Sequence, residues 1–374
     1  MLTNDDPRAF MGHFAAAVGG SAPVVVGEPE WSGGRDASDA RGSAFPSRGW
    51  LLIKTGGSSG GAKLARHDEK TLVAAVRGFC AHFSLERVNA VSVLPLYHVS
   101  GLMAWMRSAV TGGVFAPWSW TDLKQGRRPE LGERGDWVIS LVPTQLQRLL
   151  EVPAAVEWLR RFRIIFIGGG PIWPALADAA AQAGLRISLS YGMTETAAMV
   201  AALQPEEFLA GARGSGRALP HAHISVTTDG IVRVAGDSVY RGYWPEFRES
   251  REFVTQDFGR IDERGQVHVL GRADAVIVTG GEKVQPADVE AALRASGAFD
   301  DVAVIGVPDP EWGEAVVACY PAGGRVPDLA RACAALAVHQ RPKRLVAIAD
   351  WPRNAQGKVD RAALLAAIAN GVNR

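Results

Sequence analysis

Only three cysteines, Cys80, Cys319 and Cys333, occur in 374 residues, far apart and with no C-x-x-C pair or histidine cluster beside them. That argues against a disulfide framework and against a cysteine-rich zinc module. No uncharged apolar run approaches the ~18 residues of a membrane span. The opening MLTNDDPRAF carries two Asp where a secretory signal would carry Lys or Arg. The expectation is a cytoplasmic protein with no membrane insertion. Neither sign of charge dominates, since 40 Lys and Arg against 39 Asp and Glu leave +1, and no local basic patch stands out. A field that gathers nucleic acid is therefore absent. Internal repeats and heptads are also missing.

What is present is apolar sequence cut into strand-length pieces. A chain of this length exceeds one ordinary core and points to two or three domains or subdomains. The first 49 residues are rich in Gly, Ala, Pro and Ser, with one short strand candidate, PVVVG. From Trp50 the runs WLLIK, AVSVLPL, WVISLVP, RIIFIGGG and RISLSYG alternate with helical patterns around 69–83, 102–110, 145–150 and 173–183. Continuous apolar strands separated by helices predict a parallel sheet buried on both faces. After residue 210 short glycine-punctuated strands, HISVTT, GIVRVAG and GQVHVLG, predict a small β-rich subdomain. An amphipathic helix at 286–295, strands DVAVIGVPD and AVVACYP, and a closing helix from Arg361 predict a compact α+β domain at the end. The fold class is α/β, with a large N-terminal domain over 1–273, its β-rich subdomain at 210–273, and a small C-terminal domain over 274–374.

Chemistry in such sheets gathers at loops beyond the strands' carboxyl ends. Four ends here are loaded: TGGSSGGAK, PLYHVSGL, GGGP and SYGMTETA. In the first, Gly56 and Gly61 have the Walker A spacing, but Ala62 stands where its lysine belongs. Two readings stay open from these residues alone: a loop whose amides, Ser58, Ser59 and Lys63 cradle phosphate, or a flexible surface loop.

Taken in order with TQDFGRID, GRADAVIVTGGEKVQPADVE and PRNAQGKVDR, the series resembles the acyl-adenylate-forming (AMP-binding) superfamily, over about 51–361. The resemblance implies a mobile small domain and resolves the glycine loop in favour of ATP phosphates, with Thr55, Gly56, Ser58, Ser59, Gly60 and Lys63 as the binding residues. It assigns Glu195 to magnesium, Thr194 to the α-phosphate, and Ser190, Tyr191 and Gly192 to the nucleotide, Tyr191 lying along adenine. A bare reading leaves Glu195 as a helix cap. Asp257 would accept the ribose hydroxyls, although Gln256 replaces the family's usual glycine. Arg272 is implied as a second ribose contact and Asp274 as the hinge; a simple turn is the alternative. Lys358 is implied as the catalytic lysine, bridging substrate carboxylate and α-phosphate, where a bland reading has a solvated lysine. Gly280, Gly281 and Lys283 would face coenzyme A.

The implied reaction is ATP-dependent ligation of a carboxylic acid to CoA through an acyl adenylate. Tyr97-His98-Val99-Ser100 stands where amino-acid-activating members carry an Asp, which disfavours an α-amino substrate. His98, Thr144, Gln145 and Gly168 to Gly170 would line the acyl pocket, with Gly169 and Gly170 also implied at the nucleotide and His98 implied as catalytic, though it has a structural reading as well. The 54 residues before Thr55 are few for the superfamily. With PLYHVSGL and VTGGEKVQPADVE they resemble the short o-succinylbenzoate-CoA ligases of menaquinone and phylloquinone synthesis, whose second carboxylate Arg148 or Arg107 would meet. Aryl- or fatty-acid-CoA ligases, carrier-protein-loading adenylating enzymes and a nucleotide-binding pseudoenzyme are the alternatives, and a homodimer is left open.

Overall fold

The computed structural model describes residues 6–18, 24–27, 49–55, 63–132, 136–299, 301–323, 328–353 and 359–371. They fall into two units, one of Met1–Gly169, Ala179–Thr255 and Arg260–Val269, the other of Gly170–Asp178, Gln256–Gly259 and Leu270–Arg374.

In the first unit, helix Pro7–Val18 precedes a three-stranded sheet of β1 (Val24–Val26), β2 (Leu51–Lys54) and β3 (Leu64–His67). β1 runs parallel to β2, and β3 antiparallel. The strand before the glycine stretch therefore lies in this small sheet and not in the main parallel one. The reason is the short return from Lys54 to Leu64, because parallel neighbours need a crossover of about a dozen residues or more. Helix Glu69–Phe83 starts where the sequence predicts. Asp68 caps it by accepting from Thr71 N at 3.1 Å, and Ser84 ends it in the left-handed region.

The main sheet has seven strands: β4 (Asn89–Ser92), β5 (Phe115–Pro117), β6 (Trp137–Leu141), β7 (Ile164–Ile167), β8 (Ile187–Met193), β9 (Ala198–Ala202) and β10 (Arg217–Ala218). Their order is β10-β9-β8-β7-β6-β4-β5. β5, β4, β6, β7 and β8 are mutually parallel, as their unbroken apolar runs predict, and β9 and β10 extend the sheet antiparallel. From β4 the chain passes through helix Val99–Thr111 to the edge strand β5, then returns to β6 on the other side of β4. That reversal is the kind of switch point where α/β sheets open a crevice. A further four-stranded sheet follows, β11 (Ala222–Val226), β12 (Ile231–Gly236), β13 (Glu252–Ile261) and β14 (Val267–Arg272).

The second unit is α+β. β15 (Ile277–Thr279), β16 (Glu282–Val284), β17 (Ala303–Asp309), β18 (Gly313–Pro321) and β19 (Arg344–Ile348) form a mixed sheet with β18 central. Alternation along β18 explains its two-sided burial. Val316 and Ala318 pack with Val289 and Leu293 of helix Pro286–Ala295, while Ala315, Val317 and Cys319 pack with Leu364 and Ile368 of helix Arg361–Gly371.

Candidate active site

The carboxyl ends of β4, β6, β7 and β8 lie on one edge of the main sheet because these strands are parallel neighbours. After β4, His98 N donates to Pro95 O at 3.1 Å and its carbonyl accepts from Leu102 N at 2.9 Å, starting helix Val99–Thr111. The half-buried His98 ring sits 4.6 Å from that of Tyr97. A Cβ on Gly101 would lie 2.1 Å from Pro95 O, so only glycine lets this helix begin so close to the turn. After β6, Thr144 is half-buried, whereas the buried Gln145 turns back and accepts from Val142 N at 3.0 Å. Gln145 thus caps helix Pro143–Leu150 with its carboxamide oxygen. After β7, a Cβ on Gly168 would meet Ser190 Oγ at 2.9 Å, which brings these two sequence-predicted residues together. Gly169 has φ +77 and, with Gly170, is exposed.

Tyr191 and Gly192 belong to β8 itself, Tyr191 buried beside Val200 and Ile224. Thr194–Thr196 is a single 3-10 turn that leads directly into β9, so no helix follows for Glu195 to cap. The Glu195 carboxylate meets a residue the sequence reading missed. Tyr243 donates its hydroxyl to Glu195 Oε1 at 2.6 Å, and Lys63 Nζ lies 5.0 Å from the centre of the Tyr243 ring. The segment carrying Tyr243 runs antiparallel to β3, with Ala65 bridged to Tyr243 and Trp244 N donating to Leu64 O at 2.9 Å. Burial and the nearby Glu195 charge hold the phenol well above its usual range, so it keeps its proton and donates. Lys63 and Glu195, 132 positions apart by their numbers, converge on one aromatic ring. The Gly-Tyr-Trp run at 242–244 was the available signal, but an isolated tyrosine in a loop has no spacing to mark it.

A buried polar network stands behind that turn. His67 is fully buried, with Nε2 2.7 Å from Thr194 O and Nδ1 3.0 Å from Thr71 Oγ1. Burial pulls its pKa down to about 4. Next to it Asp68 Oδ2 accepts from Arg241 Nε at 3.1 Å, both side chains almost wholly enclosed. Burial alone would raise the Asp68 carboxyl, but the hydrogen bond from Arg241, helped by backbone amides and the guanidinium charge, keeps it below its usual range.

Thr55 N donates to Lys63 O at 2.9 Å, so the glycine stretch starts and ends on paired residues. Gly56, Ser58, Ser59 and Gly60 lie outside the described residues, as does Lys358. Of the two arginines named for a second carboxylate, Arg148 is exposed on helix Pro143–Leu150. Arg107 is 5% exposed, stacks on Phe79 at 3.9 Å, and has no hydrogen-bond partner for Nε. It lines a small cavity with Ala104, Val138, Ile139 and Ser140. Burial lowers its pKa to about 10, which leaves it charged at neutral pH.

In the second unit, Asp257 is buried within β13. Arg272 Nη1 lies 3.7 Å from Asp257 Oδ1, and the same guanidinium donates to both oxygens of Asp274 at 2.8 and 2.6 Å. Gln256 has a defined part here, accepting from Arg272 Nη2 at 2.7 Å. Asp274 sits in the 3-10 turn Ala273–Ala275. Gly280 and Gly281, at φ +57 and +83, make the two-residue turn between β15 and β16, and Lys283 is exposed on β16. Two positive φ values are what a tight hairpin of the right twist requires. Among the described residues no group of three or more His, Cys, Asp or Glu is placed to hold a metal, and no helix is long and apolar enough to cross a membrane.

Comparison with known proteins is consistent with this arrangement. The sequence matches the AMP-binding enzyme family over residues 32–244 and the AMP-binding enzyme C-terminal domain over 288–358. It is 31% identical to a 2-succinylbenzoate-CoA ligase of Listeria monocytogenes over 74% of this chain and 61% of the relative. A probable 2-succinylbenzoate-CoA ligase of Mycobacterium tuberculosis is 32% identical over 93% of this chain and 92% of its own. The chain thus spans about three fifths of the first of these relatives and nearly all of the second. Among solved structures, o-succinylbenzoate CoA synthetase (MenE) from Bacillus subtilis in complex with the acyl-adenylate intermediate OSB-AMP superposes with a TM-score of 0.74 at 27% identity, over 84% of this chain and 69% of that one.

Proposed function

We infer the function of this chain from its membership: it belongs to the AMP-binding enzyme family. It is an ATP-dependent acid-CoA ligase that works through an acyl adenylate, with o-succinylbenzoate as the acid and o-succinylbenzoyl-CoA, for menaquinone or phylloquinone synthesis, as the product. The convergence of Lys63 and Glu195 on Tyr243 supports adenylation. Buried, charged Arg107, facing a cavity of the unit that carries His98, supports an acid with a second carboxylate.

The acid's carboxylate attacks the α-phosphorus of ATP in line, the bond to pyrophosphate breaks, and the CoA thiolate then attacks the acyl carbon and expels AMP. Lys63 and Lys358 offset charge on phosphate oxygens, and Thr194 donates to the α-phosphate. Asp257 accepts from the ribose hydroxyls, held in place by Arg272, which Gln256 and Asp274 orient. Asp274 is the hinge at the boundary of domains 1–273 and 274–374. Gly280, Gly281 and Lys283 meet CoA. Glu195 offers one carboxylate with Oε1 fixed by Tyr243. That fits Mg²⁺, which takes one or two carboxylates and fills its remaining positions with water and phosphate. When bound, the ion would neutralise phosphate charge.

The test is pyrophosphate release with ATP and Mg²⁺ across o-succinylbenzoate, benzoate, a medium-chain fatty acid and amino acids, with and without CoA. Turnover should be confined to o-succinylbenzoate and should yield its CoA thioester. Arg107→Met should cut that turnover on the order of a hundredfold, the loss of a charged hydrogen bond in a dry site. Activity on another acid would keep the mechanism and discard the substrate, and silence on every acid would sink the enzymatic reading.

A further inference from the structure

We propose that His67 is a positioning residue for the nucleotide site: by holding the Thr194 carbonyl, its imidazole fixes the turn that presents the Glu195 carboxylate. The inference rests on the reading above, in which Glu195 serves magnesium-bound ATP.

Thr194 O can only accept, so His67 Nε2, 2.7 Å away, holds the ring hydrogen and donates it. Nδ1 is then the bare nitrogen. Thr71 Oγ1 lies 3.0 Å from it and 2.8 Å from Asp68 O, and the same oxygen accepts from Asp68 N at 3.1 Å. The single Thr71 proton has two acceptors within reach, Asp68 O, to which the hydroxyl donates, and Nδ1 beside it, so the hydroxyl holds the ring against the start of helix Glu69–Phe83. The tautomer with hydrogen on Nε2 thus ties the start of helix Glu69–Phe83, through Thr71 and His67, to the carbonyl before Glu195. Burial, which holds His67 neutral, keeps that direction fixed near neutral pH.

The turn needs such a hold. Ala197 and Ala198, immediately after it, have φ +52 and +73, where a Cβ is disfavoured. Three groups outside the turn pin it: Tyr240 N on Glu195 O at 2.8 Å, Tyr243 Oη on Glu195 Oε1 at 2.6 Å, and His67 on Thr194 O. The last two are linked through β3. Asp68, next to His67, holds Arg241, whose N donates to Arg66 O at 2.7 Å, and this pairing sets the segment that carries Tyr243. Lys63 immediately precedes the strand that His67 ends. Four residues of β3 therefore tie the lysine expected at phosphate to the carboxylate expected at magnesium.

The test measures ATP binding by calorimetry without any acid, with and without Mg²⁺, for the wild type, His67→Leu, His67→Gln, Glu195→Gln and the His67→Leu/Glu195→Gln double variant. His67→Leu should weaken ATP binding in Mg²⁺ by about tenfold, the usual size of losing an outer-shell contact to a metal ligand, and leave metal-free binding unchanged. His67→Gln, whose amide nitrogen can take the place of Nε2, should restore most of the loss. In the Glu195→Gln background His67→Leu should add little, because its effect passes through that carboxylate. Where His67→Leu does not fold, Thr71→Val carries the test: it keeps the histidine, removes the hydroxyl beside Nδ1, and should weaken the same affinity by about threefold. Wild-type Mg²⁺-ATP affinity in His67→Leu or in Thr71→Val, or a loss that persists undiminished without the Glu195 carboxylate, overturns the proposal. A Glu195→Gln variant whose binding depends on Mg²⁺ as before would instead overturn the functional reading.

Discussion

The two units treat buried charge in opposite ways. In the first, Asp68 and Arg241 pair with both side chains at 2% exposure or less, His67 is held neutral, and Arg107 is enclosed against Phe79. In the second, Glu290 pairs with Arg361 and Arg294, and Asp301 with Arg294 and Arg353, through guanidiniums that are 39%, 17% and 25% exposed. Glu290 is itself nearly enclosed at 6%, but each of these arginine heads keeps a path to water, so the pairs cost less to form than one sealed on both sides. A sealed pair carries a large desolvation cost and stands only while both partners remain. The difference separates a unit that accepts strain to hold reactive groups in place from one that uses solvated pairs to secure its chain, Arg353 and Arg361 lying on either side of 354–358.

Removing one partner from each kind of pair should give the widest contrast. Asp68→Ala leaves Arg241 sealed without a counter-charge and should cost about 3–5 kcal/mol. Glu290→Ala lets its arginines turn to water and costs chiefly the acceptor of Val304 N, about 1–2 kcal/mol. Peptide-resolved hydrogen exchange of the whole chain reads each unit separately, and equal losses would erase the contrast.

Acid should act on the first unit ahead of the second. His67 and His221 have pKa values lowered from 6.5 to about 4, chiefly by burial. Between those two values the unfolded chain takes up protons that the folded one refuses, so stability falls as pH drops through the window and levels off below it. Each histidine contributes up to about 3 kcal/mol. Exchange in the first unit should therefore accelerate between pH 6.5 and 4, with a shallower slope in His221→Gln; an unchanged slope would remove that histidine from the account.

A subtler effect separates two arginines of the first unit. Arg107→Met replaces an enclosed cation with an apolar chain and should leave stability unchanged or raise it by about 1 kcal/mol. Arg148→Met, at an exposed helical position, should move stability by less than about 0.5 kcal/mol and leave turnover alone. Denaturant midpoints together with pyrophosphate release check both, and a marked destabilisation in Arg107→Met would mean that this side chain is structural.

Legibility in the sequence followed length and period. Helix Glu69–Phe83 was readable to the residue because an Asp cap and an apolar stripe coincide there, and helix Pro286–Ala295 for a similar reason, with proline at its start. Strands β3 and β5 and helix Trp120–Lys124 were not, since three to five residues carry too little period to distinguish. The superfamily was legible in the motif series, which the family match bears out. Gln256 was visible as a departure from the pattern, yet its grip on Arg272 was not.

Residue order by itself determined the alternation of apolar strands and helices, the β-rich stretch, the closing α+β unit and the family, because periodicity and ordered motifs are properties of one dimension. Only the tertiary structure decided that β2 leaves the main sheet, that Tyr243 joins Lys63 to Glu195, and that Arg107 is enclosed while Arg148 meets water. Those outcomes depend on contacts between residues far apart in the chain, and on whether water reaches a charge, which no local pattern encodes.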